Sequence, residues 1–124
     1  MFVDNGLKKV DFLSTLELAV ISDNKFNLIE DFHVAISGKL LTIPKGFTTD
    51  LASVPRIPIA YLAVGARGHK AAVVHDYLYL NKLFPRSHCD AVFREGLKEC
   101  GLSWWEVYTM YLGVRIGGGF CYGS

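Results

Sequence analysis

The stretch KAAVVHDYLYLNKLFPRSHCDAVF, residues 70–93, decides the fold. Ala72, His75, Tyr79 and Leu83 recur at intervals of three and four, which places them on one stripe of a helix running from about Gly68 to Leu83 and stopping before Pro85. Ser87 has the side chain of a helix cap, and Asp90 three residues later completes an S-x-x-D box, so a second helix is predicted from Ser87 to Gly101. Ser103-Trp104-Trp105-Glu106 is an S-x-x-E box that opens a third helix, ended by Gly117-Gly118-Gly119. The connections are only a few residues long, so the first two helices are expected to pack as an antiparallel hairpin.

Upstream the periodicity changes. LELAVI (16–21) and FHVAI (32–36) are apolar and β-branched, Asp23-Asn24 punctuates between them, and Ser37-Gly38 offers a tight turn into Lys39–Ile43. These segments predict a small antiparallel meander. Between the two halves, PKGFTTDLASVPRIP (44–58) carries three prolines and a glycine, too broken for a regular element and too apolar for a flexible linker. It is expected to be an ordered loop. The predicted class is therefore α+β in a single domain over 1–124, with a β-rich part (1–43), a proline-rich loop (44–66) and a helical part (67–118).

Composition bounds what such a domain does. At 124 residues, with 51% hydrophobic and 20% charged residues, the chain has the apolar content for one packed core and not that of a disordered segment. Thirteen Lys and Arg against twelve Asp and Glu leave +1 without a run of like charge, so no nucleic-acid partner is expected. The longest uncharged stretch near the middle, Ile57 to Ala66, holds ten residues where a membrane span needs roughly 20, so no transmembrane segment is expected. Cys89, Cys100 and Cys121 form no C-x-x-C pair and read as reduced core thiols.

The chemistry concentrates on the helix hairpin. His75 and Asp76 are neighbours on a helix and point about 100° apart, so they serve different partners. One can move a proton while the other holds a cation. Asp90 lies near the start of the returning helix, where a carboxylate can bond one imidazole nitrogen of His75 and leave the other free to accept a proton. Tyr79, one turn along, is placed to bond either carboxylate. The plain alternatives are a satisfied polar link between helices for His75 and Asp90, a helix cap for Asp90, and turn or ion-pair roles for Asp50 and Arg56. His33, His69 and His88 have no partner at metal-ligand spacing. Of Trp104 and Trp105, one is expected to pack inward and one to lie at the surface.

GFTTDLASVPR (46–56), KAAVVHDYLY (70–79) and SHCDAVF (87–93) together resemble a small bacteriophage and prophage protein family of unknown function, over roughly residues 40–116. More distantly, an H-D-x-x-Y helix followed by a helix bearing Asp and Phe is similar to the helix pair of secretory and parvovirus-capsid phospholipases. In those enzymes the His activates water, the adjacent Asp binds calcium, and the Asp of the antiparallel helix orients the His. The resemblance assigns these roles to His75, Asp76 and Asp90. The calcium loop of those enzymes is glycine-rich, whereas Gly46 to Asp50 has one glycine and no Y-G-x-G pattern. Asp50 is expected to act as a second oxygen ligand, with calcium the expected cation and magnesium or no metal the alternatives.

Two functions follow as expectations. One is a phage-encoded, metal-assisted, phospholipase-like hydrolase acting on a phospholipid or another ester. The other is a non-enzymatic virion component, of a tail or baseplate, that keeps the helix pair as scaffold among other virion proteins. The expected location is the bacterial host cytoplasm during phage production, or the virion. An HD-type phosphohydrolase ranks third, because its further metal ligands are not evident.

Overall fold

The computed structural model describes residues 9–22, 25–49 and 68–117. Six short strands precede three helices, the α+β arrangement that the sequence predicts. Strands β1 (Val10–Phe12), β4 (Phe32–Ile36) and β5 (Lys39–Ile43) form one antiparallel sheet in the order β1-β4-β5. Strands β2 (Leu18–Ser22), β3 (Lys25–Leu28) and β6 (Thr48–Thr49) form a second, in the order β2-β3-β6. Ser37 and Gly38 join β4 to β5 with φ of 52° and 83°, two left-handed residues of the kind that a two-residue hairpin needs to match strand twist. Along β4, Phe32, Val34 and Ile36 are buried while His33 and Ala35 face the other side. His33 Nδ1 lies 3.0 Å from Thr42 Oγ1, its register partner on β5, an ordinary cross-strand bond.

β1, β3 and β6 are absent from the sequence reading. They are two to four residues long and include Asp11, Lys25 and Asn27, so local propensity is silent and pairing to a neighbour creates them. The short β6 also shows that the proline-rich segment starts as sheet: Gly46 N–H donates to Leu28 O at 2.9 Å, and Thr48 and Thr49 pair with Asn27 and Phe26.

Helices α1 (His69–Asn81), α2 (Arg86–Glu99) and α3 (Trp104–Gly117) follow. Helix α1 ends two residues before the predicted Leu83, because Lys82 adopts a left-handed φ of 48° and Leu83 N–H turns back to Leu78 O at 3.2 Å. Leu83 is therefore exposed and leaves the stripe. Helix α2 starts at Arg86 with Pro85 as its cap residue and no side-chain cap bond. Ser87 is exposed in its first turn, so the predicted Ser87–Asp90 box does not form. The Ser103–Glu106 box does: Ser103 N–H donates to Glu106 Oε1 at 2.8 Å and Ser103 Oγ lies 3.1 Å from the same oxygen. Both Trp104 and Trp105 are exposed, against the expectation of one inward. The inward stripe of α3 is Val107, Met110 and Val114, and at about 100° per residue both tryptophans fall off it.

Helix α1 is the central element. Val73, Val74 and Leu78 join Phe32, Val34 and Ile43 in one apolar cluster, while Ala71 and Ala72 join Phe93, Leu97, Val107 and Met110 in another. Its partner α2 runs antiparallel, since Ala71 meets Gly96, His75 meets Phe93 and Tyr79 meets Asp90. A Cβ at Gly96 would lie 3.1 Å from Ala71 Cβ, which is why glycine lets these helices approach. Cys89 is buried and Cys100 half-buried, both as free thiols; Cys121 lies outside the described residues. Among the described residues no helix is long and apolar enough to cross a membrane.

These caps make a test. Ser103→Ala is expected to cost about 1 kcal/mol of stability, and Ser87→Ala to stay within about 0.5 kcal/mol of wild type. Urea unfolding of the two variants measures the contrast, and equal losses would place a working cap at Ser87 after all.

Candidate functional site

Because α1 is enclosed on both sides, the two polar residues at its middle, His75 and Asp76, have to find partners within the protein. They find different ones. His75 Nε2 lies 2.9 Å from Asp90 Oδ1, and Tyr79, one turn further, donates its hydroxyl to the same oxygen at 2.6 Å. Asp76, turned away along the helix, accepts a short hydrogen bond from Thr49 Oγ1 in β6. The predicted His75–Asp90 contact is present, and Tyr79 bonds Asp90 rather than Asp76.

Asp90 has no exposed surface and His75 only 2%. The second carboxylate oxygen accepts from Arg115 Nη1 at 2.9 Å, so residues of α1 and α3 converge on one acid of α2. Arg86, the first residue of α2, returns the connection: its Nη2 donates to Val114 O at 3.2 Å and to Arg115 O. Arg86 Nε is the one buried side-chain nitrogen or oxygen without a hydrogen-bond partner among the described residues. The His75 ring sits between Tyr79 and Phe93, with centroid separations of 4.1 and 4.7 Å.

These surroundings set the protonation states. Burial pushes His75 below its ordinary 6.5; the hydrogen bond and charge of Asp90 oppose that, and the charge of Arg86 adds to it. Burial works to raise Asp90 too, but hydrogen bonds from His75 and Tyr79, the His75 charge and the Arg115 hydrogen bond outweigh it and hold the carboxyl below 3.8. Tyr79 is pushed well above its ordinary value, by burial first and then by Asp90. At neutral pH the group is a neutral imidazole against a carboxylate. A carboxylate only accepts, so Nε2 carries the imidazole proton and Nδ1 carries the lone pair. Nδ1 makes no hydrogen bond among the described residues. That tautomer leaves Nδ1 as the acceptor nitrogen of a ring that is almost wholly buried.

Asp50 and Arg56 lie outside the described residues. Among those described, no group of three or more His, Cys, Asp and Glu side chains is placed to hold a metal ion. Asp76 and the Thr49 hydroxyl supply two kinds of oxygen donor, short of the six to eight that calcium takes. The sequence reading missed Thr49, Arg86 and Arg115. Arg115 carried a usable signal: with Glu106 spent on the cap, it is the one charge left in WWEVYTMYLGVRIG, and a buried Asp90 requires a cation.

A family model described as "Protein of unknown function (DUF1353)" matches residues 26–114. The chain belongs to this family. The DUF1353 match runs from β3 to the last turn of α3 and contains Thr49, His75, Asp76, Tyr79, Arg86 and Asp90; Arg115 is the next residue after it. No curated protein and no solved structure is matched.

Two outcomes follow. Arg115→Met is expected to lower stability by about 1–3 kcal/mol, less than breaking a fully enclosed ion pair, because His75 and Tyr79 still donate to Asp90. Denaturant unfolding measures it, and a neutral result would show that Arg115 does not hold the carboxylate. The His75 shift also fixes a pH dependence. Between its lowered folded value and 6.5 the unfolded chain binds a proton that the folded one does not, so stability is full above 6.5 and falls as pH drops below it. Melting temperature should decline from pH 7 to pH 5.5, and His75→Gln should flatten that decline, leaving the part due to His69 and His88, which burial also lowers.

Proposed function

We propose that this chain is a His–Asp ester hydrolase with phospholipase-like chemistry, encoded by a bacteriophage or prophage and acting in the host cytoplasm during phage production or from the virion. The observation that carries the reading is the tautomer lock on His75, with Nε2 paired to a buried carboxylate shared with Tyr79 and Nδ1 left as acceptor. A purely structural link would be served by any donor to Asp90. The motifs TDLASVPR and HDYLY support the phage origin, and the likeness of the H-D-x-x-Y helix pair to phospholipases supports the substrate class.

In the proposed reaction Nδ1 takes a proton from water as the water oxygen attacks the ester carbonyl, and the Asp90 carboxylate stabilises the imidazolium that forms. The same proton passes from Nδ1 to the departing alkoxide. One water and one ester give an acid and an alcohol, and His75 returns to its starting state. His75 is buried, so an ester would reach Nδ1 only with a shift of the side chains packed around the ring. Asp76, fixed by Thr49, is the carboxylate that would hold calcium, and calcium when bound would polarise the ester carbonyl. Its remaining oxygen ligands would come from beyond the described residues, Asp50 being the proposed one.

The burial of His75 favours a second reading, in which His75, Tyr79, Asp90 and Arg115 are a scaffold link in a non-enzymatic tail or baseplate component. Hydrolysis of phospholipid vesicles and short-chain esters, with added calcium and with chelator, separates the two. The hydrolase reading expects His75→Ala to lose on the order of 10²–10⁴ in rate. It also expects kcat/KM to fall on the acid side with its limb below 6.5, where His75 becomes protonated. A wild type inert on every ester, with large losses of melting temperature in His75→Ala and Asp90→Asn, would leave the scaffold reading.

A further inference from the structure

The outer face of α3 is apolar and open. Trp104 is 77% exposed, Trp105 51%, Tyr108 55% and Leu112 52%. Trp104, Tyr108 and Leu112 are four residues apart and so form one row along the helix, with Trp105 beside it. The exposed polar residue within this face, Thr109, donates its hydroxyl back to Trp105 O at 2.8 Å, and no exposed position from 103 to 112 carries a charge. Trp104 and Tyr108 border a groove of about 570 Å³ between α2 and α3, floored by Leu102 and Val107.

The opposite wall of the groove is basic. Arg94 and Lys98 share a single acid, Glu95, at 3.0 and 3.2 Å. The Glu95 side chain is 12% exposed, that of Arg94 23% and that of Lys98 57%, so Lys98 is the charge of this wall most open to solvent, with Glu99 exposed beside it.

We propose that this face docks on the surface of an anionic phospholipid bilayer. Trp104, Trp105 and Tyr108 would sit at headgroup level, Leu112 at the acyl boundary, and Lys98 and Arg94 against headgroup phosphates. Tryptophan and tyrosine suit that boundary because each pairs an apolar ring with a polar N–H or O–H. A 14-residue helix whose outer face is uncharged from 103 to 112 and flanked by cations lies in the plane of the interface and does not cross it. The face also leads to the site: Leu112 is one turn from Arg115, which bonds Asp90. Delivery of an ester substrate by this surface rests on the hydrolase reading, whereas docking requires nothing of His75, so the two fail separately.

The test is co-sedimentation of the full chain with vesicles of phosphatidylcholine, alone or mixed with an equal part of phosphatidylglycerol, together with tryptophan emission. Wild type is expected to bind the mixed vesicles on the order of tenfold more tightly than pure phosphatidylcholine, with a blue shift. Trp104→Ser with Trp105→Ser, melting as wild type does, should lose about tenfold. Lys98→Glu should remove the preference for phosphatidylglycerol. Absence of wild-type binding, equal binding by the double variant, or no preference between the two vesicles would overturn the proposal. So would a dimer in sedimentation velocity that the double variant dissolves, which would assign the face to a second copy.

Discussion

A carboxylate with no exposed surface is the constraint around which the helices are arranged. Removing Asp90 from water is costly unless its oxygens are fully bonded, and the bonds come from His75 and Tyr79 on α1 and from Arg115 on α3. One side chain of α2 thus fixes the rotation of α1 about its axis and the position of the last turn of α3. Arg86 closes the circuit by bonding the carbonyls of Val114 and Arg115, so the start of α2 and the end of α3 hold each other in both directions. Apolar contacts between Ala71, Phe93, Leu97 and Met110 supply most of the adhesion between these helices. The polar circuit decides which of many apolar packings is adopted.

Such a circuit is weak support for stability, because buried ion pairs replaced by apolar groups of similar volume often leave proteins as stable or more so. An aliphatic residue at position 90, with matching changes at 75 and 115, would fill the same space without the desolvation cost. What the polar set provides and an apolar one does not is a defined proton inventory: a carboxylate held ionised, a phenol held protonated, and an imidazole held neutral in one tautomer. That inventory is the physical reason to read the site as chemistry.

Much of this was legible in the sequence, and what was legible shares a cause. The stripe at Ala72, His75 and Tyr79, the box at Ser103 and Glu106, and the turn at Ser37-Gly38 are local patterns, each set by spacing of four residues or fewer. The His75–Asp90 contact was reachable because a short connection forces an antiparallel hairpin, which converts sequence distance into spatial proximity. The cap assigned to Ser87 failed for a physical reason: Pro85 fixes the entering backbone, α2 begins one residue earlier, and Asp90 turns inward to a partner stronger than a backbone N–H. β1, β3 and β6 were invisible, as were Thr49 and Arg115, because each is defined by a neighbour distant along the chain.

The two acids of the hairpin divide the electrostatic work. Asp90 already accepts from three donors over two oxygens, so it has little capacity left for a substrate or a cation, and its role is confined to the imidazole. Asp76 points toward β6, and its bond from Thr49 ties it to the start of the proline-rich segment. The separation comes from the helix itself: the 100° between successive residues points His75 and Asp76 to different neighbours, and the charge of Asp90 is balanced by Arg115. Helix α3 thereby serves both ends of the arrangement: Arg115, seven residues on from Tyr108 and so on the same row, reaches Asp90 and balances the buried acid, while the tryptophans of the first turn face solvent.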